Sequence, residues 1–222
     1  MSELVMSNKL IDPAILFRIR LHAEKVNSQF SDRLWQLPEA AILPDTGVEI
    51  GSQKQFAELR VAAGQDALFF QLKVDRKLQF PWCRESRLED SDGLHLWIDT
   101  RMSRNVHRAT RFCHRYVFCP MGRGPKGDMP FAGWAPINRA RENSPPPPEK
   151  WLATRSKLRR DGYDLQCAIH YAALNGLDVN DFPVVGFYYA VIDRELGWQS
   201  MGLAPPLPVT EDPNLWGELK IA

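Results

Sequence analysis

The sequence predicts an all-β fold, an antiparallel two-sheet sandwich of jelly-roll type with one long Gly/Pro-rich loop. Three observations lead there. Apolar and polar residues alternate with a period of two through much of the 222-residue chain, the pattern of half-buried strands. Turn residues interrupt that alternation about every eight to fifteen residues. No stretch has the length and periodicity of a long helix, so the strands lack the crossover helices of a parallel sheet.

The elements follow in order. Phe17, Ile19 and Leu21 alternate with Arg18, Arg20 and His22, which predicts a strand over 15–23 rather than the apolar core of a secretory signal. Further strands are expected over 56–61, 67–74, 94–99, 112–119, 153–158, 163–169, 184–192, 199–203 and 215–221. Ala63-Gly64-Gln65-Asp66 links one hairpin and Arg160-Asp161-Gly162-Tyr163 another, because Asp-Gly suits the positive φ angles of tight turns. Short helical pieces are expected near 171–174 and 137–142. Residues 120–149 depart from the rhythm, with Gly122, Gly124, Gly127, Gly133 and the run Pro145–Pro148. A proline run favours polyproline II and cannot join a sheet ladder. The segment is therefore expected to be a long loop in a single domain spanning 1–222.

Composition narrows the function classes. The chain is 44% hydrophobic and 25% charged, and 28 Lys+Arg against 27 Asp+Glu leave a net charge of +1. That balance argues against bulk nucleic-acid binding, and no apolar run reaches the roughly 18 residues of a membrane helix. Seven Trp and eleven Phe can fill a substantial core. Of the four cysteines, Cys113 and Cys119 would lie roughly 20 Å apart on one strand, too far to bridge. Reduced, mostly buried thiols in a cytoplasmic protein are the expectation. Charge is nonetheless uneven: Arg101, Arg104, Arg108, Arg111, Arg115, Arg123 and Lys126 fall in one segment without a carboxylate. It is either a solvated basic loop beside the acidic 85–92 stretch or a patch for an anionic ligand.

Alternation also assigns faces. Leu94, Leu96 and Ile98 share one face and must be core, leaving His95, Trp97 and Asp99 on the other. On the next strand Phe112, His114, Tyr116 and Phe118 point inward, and Cys113, Arg115, Val117 and Cys119 outward. If these strands pair, His95, Trp97 and Arg115 share one surface with Trp82 from the preceding loop. These four are the candidate ligand-binding residues, each with a plain packing role as its alternative. Catalytic candidates do not emerge. There is no Gly-x-Ser-x-Gly, no P-loop and no dinucleotide fingerprint. His107, Cys113 and His114 do not converge on a metal site. Asp90 and Asp92 are candidate ligands for a structural calcium ion, although the Glu89-Asp90-Ser91-Asp92 stretch lacks the rest of an oxygen cage. No cofactor is expected.

The motif order carries a resemblance. A strand Asp92-Gly93-Leu94-His95-Leu96-Trp97-Ile98-Asp99 is followed by Gly162–Ile169 and by Gly186-Phe187-Tyr188-Tyr189-Ala190-Val191-Ile192-Asp193. Asp212-Pro213-Asn214-Leu215-Trp216-Gly217-Glu218-Leu219 closes the chain. Over about 56–221 this resembles the family 9 carbohydrate-binding modules and the wider DOMON-like sandwich group. The resemblance implies a sugar site on one sandwich face, with two tryptophans clamping sugar rings, whose apolar C–H faces suit aromatic platforms. Trp82 is the nearest match to the first tryptophan, ten residues before Asp92. Thr210 stands where the second is expected. Ala190 and His95 replace a glutamine and a glutamate, while Arg115 lies near a sugar-contacting arginine. A haem role, as in some DOMON-like domains, would need an axial pair such as Met121 with a histidine. The expected function is a non-catalytic module binding a glycan or another polar or anionic ligand. The alternative is a protein-interaction domain that has lost the sugar site and acts through 120–149.

Overall fold

A computed structural model describes residues 18–31, 36–46, 54–103 and 106–221. Twelve strands make two sheets: β1 (Arg20–His22), β2 (Glu24–Lys25), β3 (Ala57–Ala63), β4 (Ala67–Asp75), β5 (Gly93–Asp99), β6 (Cys113–Arg123), β7 (Met129–Trp134), β8 (Leu152–Arg159), β9 (Gly162–His170), β10 (Val184–Asp193), β11 (Gly197–Ser200) and β12 (Gly217–Lys220). The first sheet runs β1-β12-β10-β5-β6-β7 with β11 paired to β10, and the second runs β2-β3-β4-β9-β8. Between the sheets, Leu94, Leu96, Ile98, Tyr116, Phe118 and Phe187 meet Leu68, Phe70, Leu72, Val74, Leu165 and Ile169 in one buried cluster. Phe70 and Phe187 stack across the gap with centroids 6.4 Å apart. β4 shows why the pattern was legible: Leu68, Phe70, Leu72 and Val74 are fully buried while Gln71, Lys73 and Asp75 are not.

The expected sandwich is present, with three differences in detail. The sheets are mixed rather than wholly antiparallel, because β1 pairs β12 and β2 pairs β3 in parallel. One N-terminal segment crosses from the edge of the first sheet to the edge of the second, and its direction fixes both pairings. The expected strand's residues 15–17 lie outside the described residues. The 137–142 piece is not a helix. Asn143 Oδ1 accepts from the Ile137 amide and the Ala109 carbonyl from the Arg141 amide, which draws the backbone into turns instead. Finally, 120–149 holds the edge strand β7, paired to β6 after a register shift. The rest of the segment is tied back, since Trp134 Nε1 donates to Ser144 Oγ and Arg123 pairs with both Glu85 and Glu149. Short 3-10 turns stand at Glu39–Ala41, Glu85–Asp90, Glu149–Trp151, Tyr171–Ala173 and Pro213–Leu215. No helix among the described residues is long and apolar enough to cross a membrane.

Gly93 opens β5 at φ +146°, where a Cβ would lie 2.1 Å from the Phe118 carbonyl oxygen. Only glycine lets β5 and β6 approach so closely there. This places Asp92, the residue before it, at the end of the β5–β10 pair, where Gly93 faces Ile192.

Candidate functional site

The outward face of the first sheet is built from cross-strand rows. Tyr188, Trp97 and Arg115 are register partners across β10, β5 and β6, and Ala190, His95 and Val117 form the next row. The Arg115 guanidinium lies 5.0 Å from the Trp97 ring centre, and Tyr188 packs on the other side at 5.4 Å. Arg115 Nη1 donates to the Pro136 carbonyl at 3.4 Å. Loops roof these rows. Met201, Leu203 and Val209 join the Trp97 and Tyr188 cluster, while Cys83 and Leu88 pack on Val117 and Cys119. His95 and Trp97 are fully buried, and Arg115 retains 8% exposure.

Backbone carbonyls meet only part of this polar set: His95 Nδ1, Trp97 Nε1 and Arg115 Nε are buried without a hydrogen-bond partner among the described residues. His95 Nε2 lies 2.9 Å from the Ser91 carbonyl, which can only accept, so Nε2 carries the proton. Burial, aided by the Arg115 charge, pushes His95 down to about 3. His114 Nε2 meets the Asn175 carbonyl at 3.2 Å, and burial pushes this ring down to about 4. Both rings are neutral at physiological pH. Below pH 6.5 the unfolded chain therefore takes up protons that the folded chain refuses. Stability falls as pH drops from about 6.5 toward 4, by about 3 kcal/mol per pH unit if both rings contribute fully. Asp92 and Asp99 act in the opposite sense, since burial raises both and the fold takes up protons there as pH falls. Ring-proton NMR shifts for His95 and His114 are expected to stay flat from pH 8 to 5. A midpoint near 6.5 for either would contradict its burial.

Trp82 stands apart from this row, at the rim. A buried charge cluster positions it. Lys77, 2% exposed, places Nζ 3.2 Å from Asp92 Oδ2 and 2.8 Å from Asp193 Oδ1, both side chains fully buried, with Glu195 at 3.7 Å. Asp92 Oδ2 also accepts from the Trp82 amide at 2.9 Å, and Oδ1 from the Arg194 amide at 2.9 Å. One carboxylate thus fastens the Trp82 loop to the β10–β11 hairpin. Asp193 Oδ1 accepts from the Glu195 and Leu196 amides, while its Oδ2 has no hydrogen-bond partner among the described residues. Lys77 titrates above its ordinary range: burial opposes this, but the Asp193 and Asp92 carboxylates outweigh it. Asp92 is raised by burial and by Asp193 beside it, because two carboxylates face one ammonium.

Around Trp82 the side chains are basic. The Arg194 guanidinium carbon lies 3.4 Å from the indole centre, with Arg84 at 5.2 Å and Arg87 at 5.9 Å. A cavity of about 210 Å³ runs along Lys77–Pro81 and is closed by Leu158, Arg159, Arg160 and Gly162. The two candidate calcium ligands both stand in ion pairs. Asp90 pairs with Arg87 at the surface, and Asp92 holds Lys77 inside. Among the described residues no three His, Cys, Asp or Glu side chains group to hold a metal. The four cysteines are free thiols. Arg104, part of the basic segment, lies outside the described residues.

Structure brings His95, Trp97 and Arg115 together as expected and leaves Trp82 at the rim with partners that alternation did not indicate. Asp92 and Asp193 were visible as strand-end acids. Lys77, Arg84, Arg87 and Arg194 carried no signal.

Neither a protein-family model nor a curated protein matches the sequence. Solved structures do match. A family 9 carbohydrate-binding module from Caldicellulosiruptor kristjanssonii, in complex with cellotriose, aligns with TM-score 0.59 at 17% identity, covering 91% of this chain and 93% of that one. The fold is that of the family 9 modules. The glucose complex of a family 9 module from the same organism gives 0.60 at 16% identity, over 92% and 96% of the two chains. A Bacteroides uniformis protein gives 0.58 at 14% identity, over 93% and 100%. At these identities the likeness is one of fold.

Proposed function

We propose that this chain is a non-catalytic carbohydrate-binding module whose ligand seats at the rim of the first sheet, on Trp82. His95, Trp97 and Arg115 form a buried row on the same sheet, and the Lys77–Asp92–Asp193 cluster holds the rim in place. The observation carrying this reading is the half-buried Trp82 indole, fixed through its own amide to Asp92 in a fold shared with glucose- and cellotriose-bound modules. An aromatic ring whose backbone is already held loses little entropy on binding, and its face matches the C–H surface of a sugar ring. The residues of that row have almost no surface to offer a ligand unless the roofing loops move.

Isothermal titration with glucose, cellotriose and a panel of acidic and neutral oligosaccharides tests the proposal. At least one saccharide is expected to bind, and Trp82→Ala is expected to weaken it tenfold or more without lowering the melting temperature. Absence of any saccharide binding, or affinity unchanged in Trp82→Ala, would overturn it.

A further inference from the structure

Resting on that carbohydrate reading, we propose that the saccharide is acidic, a uronic-acid oligomer whose carboxylate is received by Arg84 and Arg194 beside Trp82. Three guanidinium groups within 6 Å of one indole centre are a concentration of like charge. Arg87 is neutralised by Asp90 at 2.5 Å. Arg84 and Arg194 have no carboxylate partner among the described residues. The nearby acids are committed elsewhere: Glu85 to Arg123, and Glu195 to Lys77 and to the amides of Leu78 and Gln79. Glu89, on the same loop, is the remaining acid, and its charge bears on Arg115.

The arrangement also selects against a neutral sugar. Arg194 covers the indole at 3.4 Å, so a neutral ring that stacks there must displace the guanidinium and lose a cation–π contact. An acidic ring gives that guanidinium a partner, since its planar fork matches a carboxylate with two parallel hydrogen bonds. Asp92 orients both contributors through backbone amides, which leaves the indole and the guanidinium free to face the ligand. Recognition therefore combines one apolar platform with two uncompensated cations.

Titration calorimetry with trigalacturonate and with cellotriose, at low and at physiological salt, tests this. Trigalacturonate is expected to bind at least tenfold tighter than cellotriose, with affinity falling as salt rises. Arg194→Gln and Arg84→Gln are expected each to weaken trigalacturonate five- to twentyfold at an unchanged melting temperature, and Arg194→Gln, which uncovers the indole, is expected to bind cellotriose as tightly as the parent or more tightly. Cellotriose binding as tightly as trigalacturonate, or both variants binding trigalacturonate like the parent, would overturn the acidic preference and leave the carbohydrate reading standing. Binding of neither sugar would overturn the acidic preference, and the carbohydrate reading would fall with it only if the rest of the oligosaccharide panel also failed to bind. Displacement of trigalacturonate by equimolar inorganic sulfate would show a general anion site and would also overturn the proposal.

Discussion

Lys77→Met is expected to cost about 3–5 kcal/mol of folding stability at pH 7, the usual consequence of leaving a buried charge without its partner. Methionine keeps much of the side-chain volume, so the loss reports charge rather than packing. With the ammonium gone, Asp92 and Asp193 face each other fully buried, one of them already with an oxygen that lacks a hydrogen bond. The pH dependence gives the diagnostic. In the parent, Lys77 titrates above its ordinary value, so its contribution is intact below about 10.5 and is lost only as pH rises through the higher folded value. In the variant Asp92, already raised by burial, loses the Lys77 charge that lowers it and holds a proton more tightly, so the deficit shrinks as pH falls from 7 to 5. Denaturant unfolding of both proteins at the two pH values checks this. A deficit below about 1 kcal/mol at pH 7, or one that grows on acidification, would mean that the cluster is hydrated and not the anchor described above.

Trp97→Ala is expected to cost about 3–5 kcal/mol as well, by opening a cavity under the roofing loops. The indole is fully buried between Arg115 and Tyr188, and its removal leaves the Arg115 charge, 8% exposed, without its stacking surface. Trp97→Phe keeps part of that surface and is expected to cost roughly half as much or less. Thermal and denaturant unfolding give the comparison. Near-parental stability for Trp97→Ala would show that the roof collapses onto the sheet or opens readily, and would return Trp97 to the ligand-facing surface.

These two residues mark how far the sequence could be read. Alternation in β5 and β6 placed Trp97 and Arg115 on one face, and register makes them direct partners. Period two states which side of a sheet a residue takes, but it carries no information on what covers that side. The cover here comes from Cys83 and Leu88 on one loop and Met201, Leu203 and Val209 on another, up to about a hundred residues away in the chain. The two parallel edge pairings were invisible for a related reason. β1 and β2 have three and two residues, too few for alternation to distinguish them or to give a direction. Lys77 was the least legible of all. A lysine after a strand is ordinarily solvated, and only the folded chain brings it between two strand-end aspartates.

Asp92 joins the Trp82 loop and the Arg194 hairpin through main-chain amides rather than through their side chains. Those two bonds do not depend on which side chains stand at 84, 87 and 194. On the proposed reading, exchanging those side chains would retune ligand preference without touching these two amide bonds, whereas loss of the Asp92 carboxylate would release both segments at once.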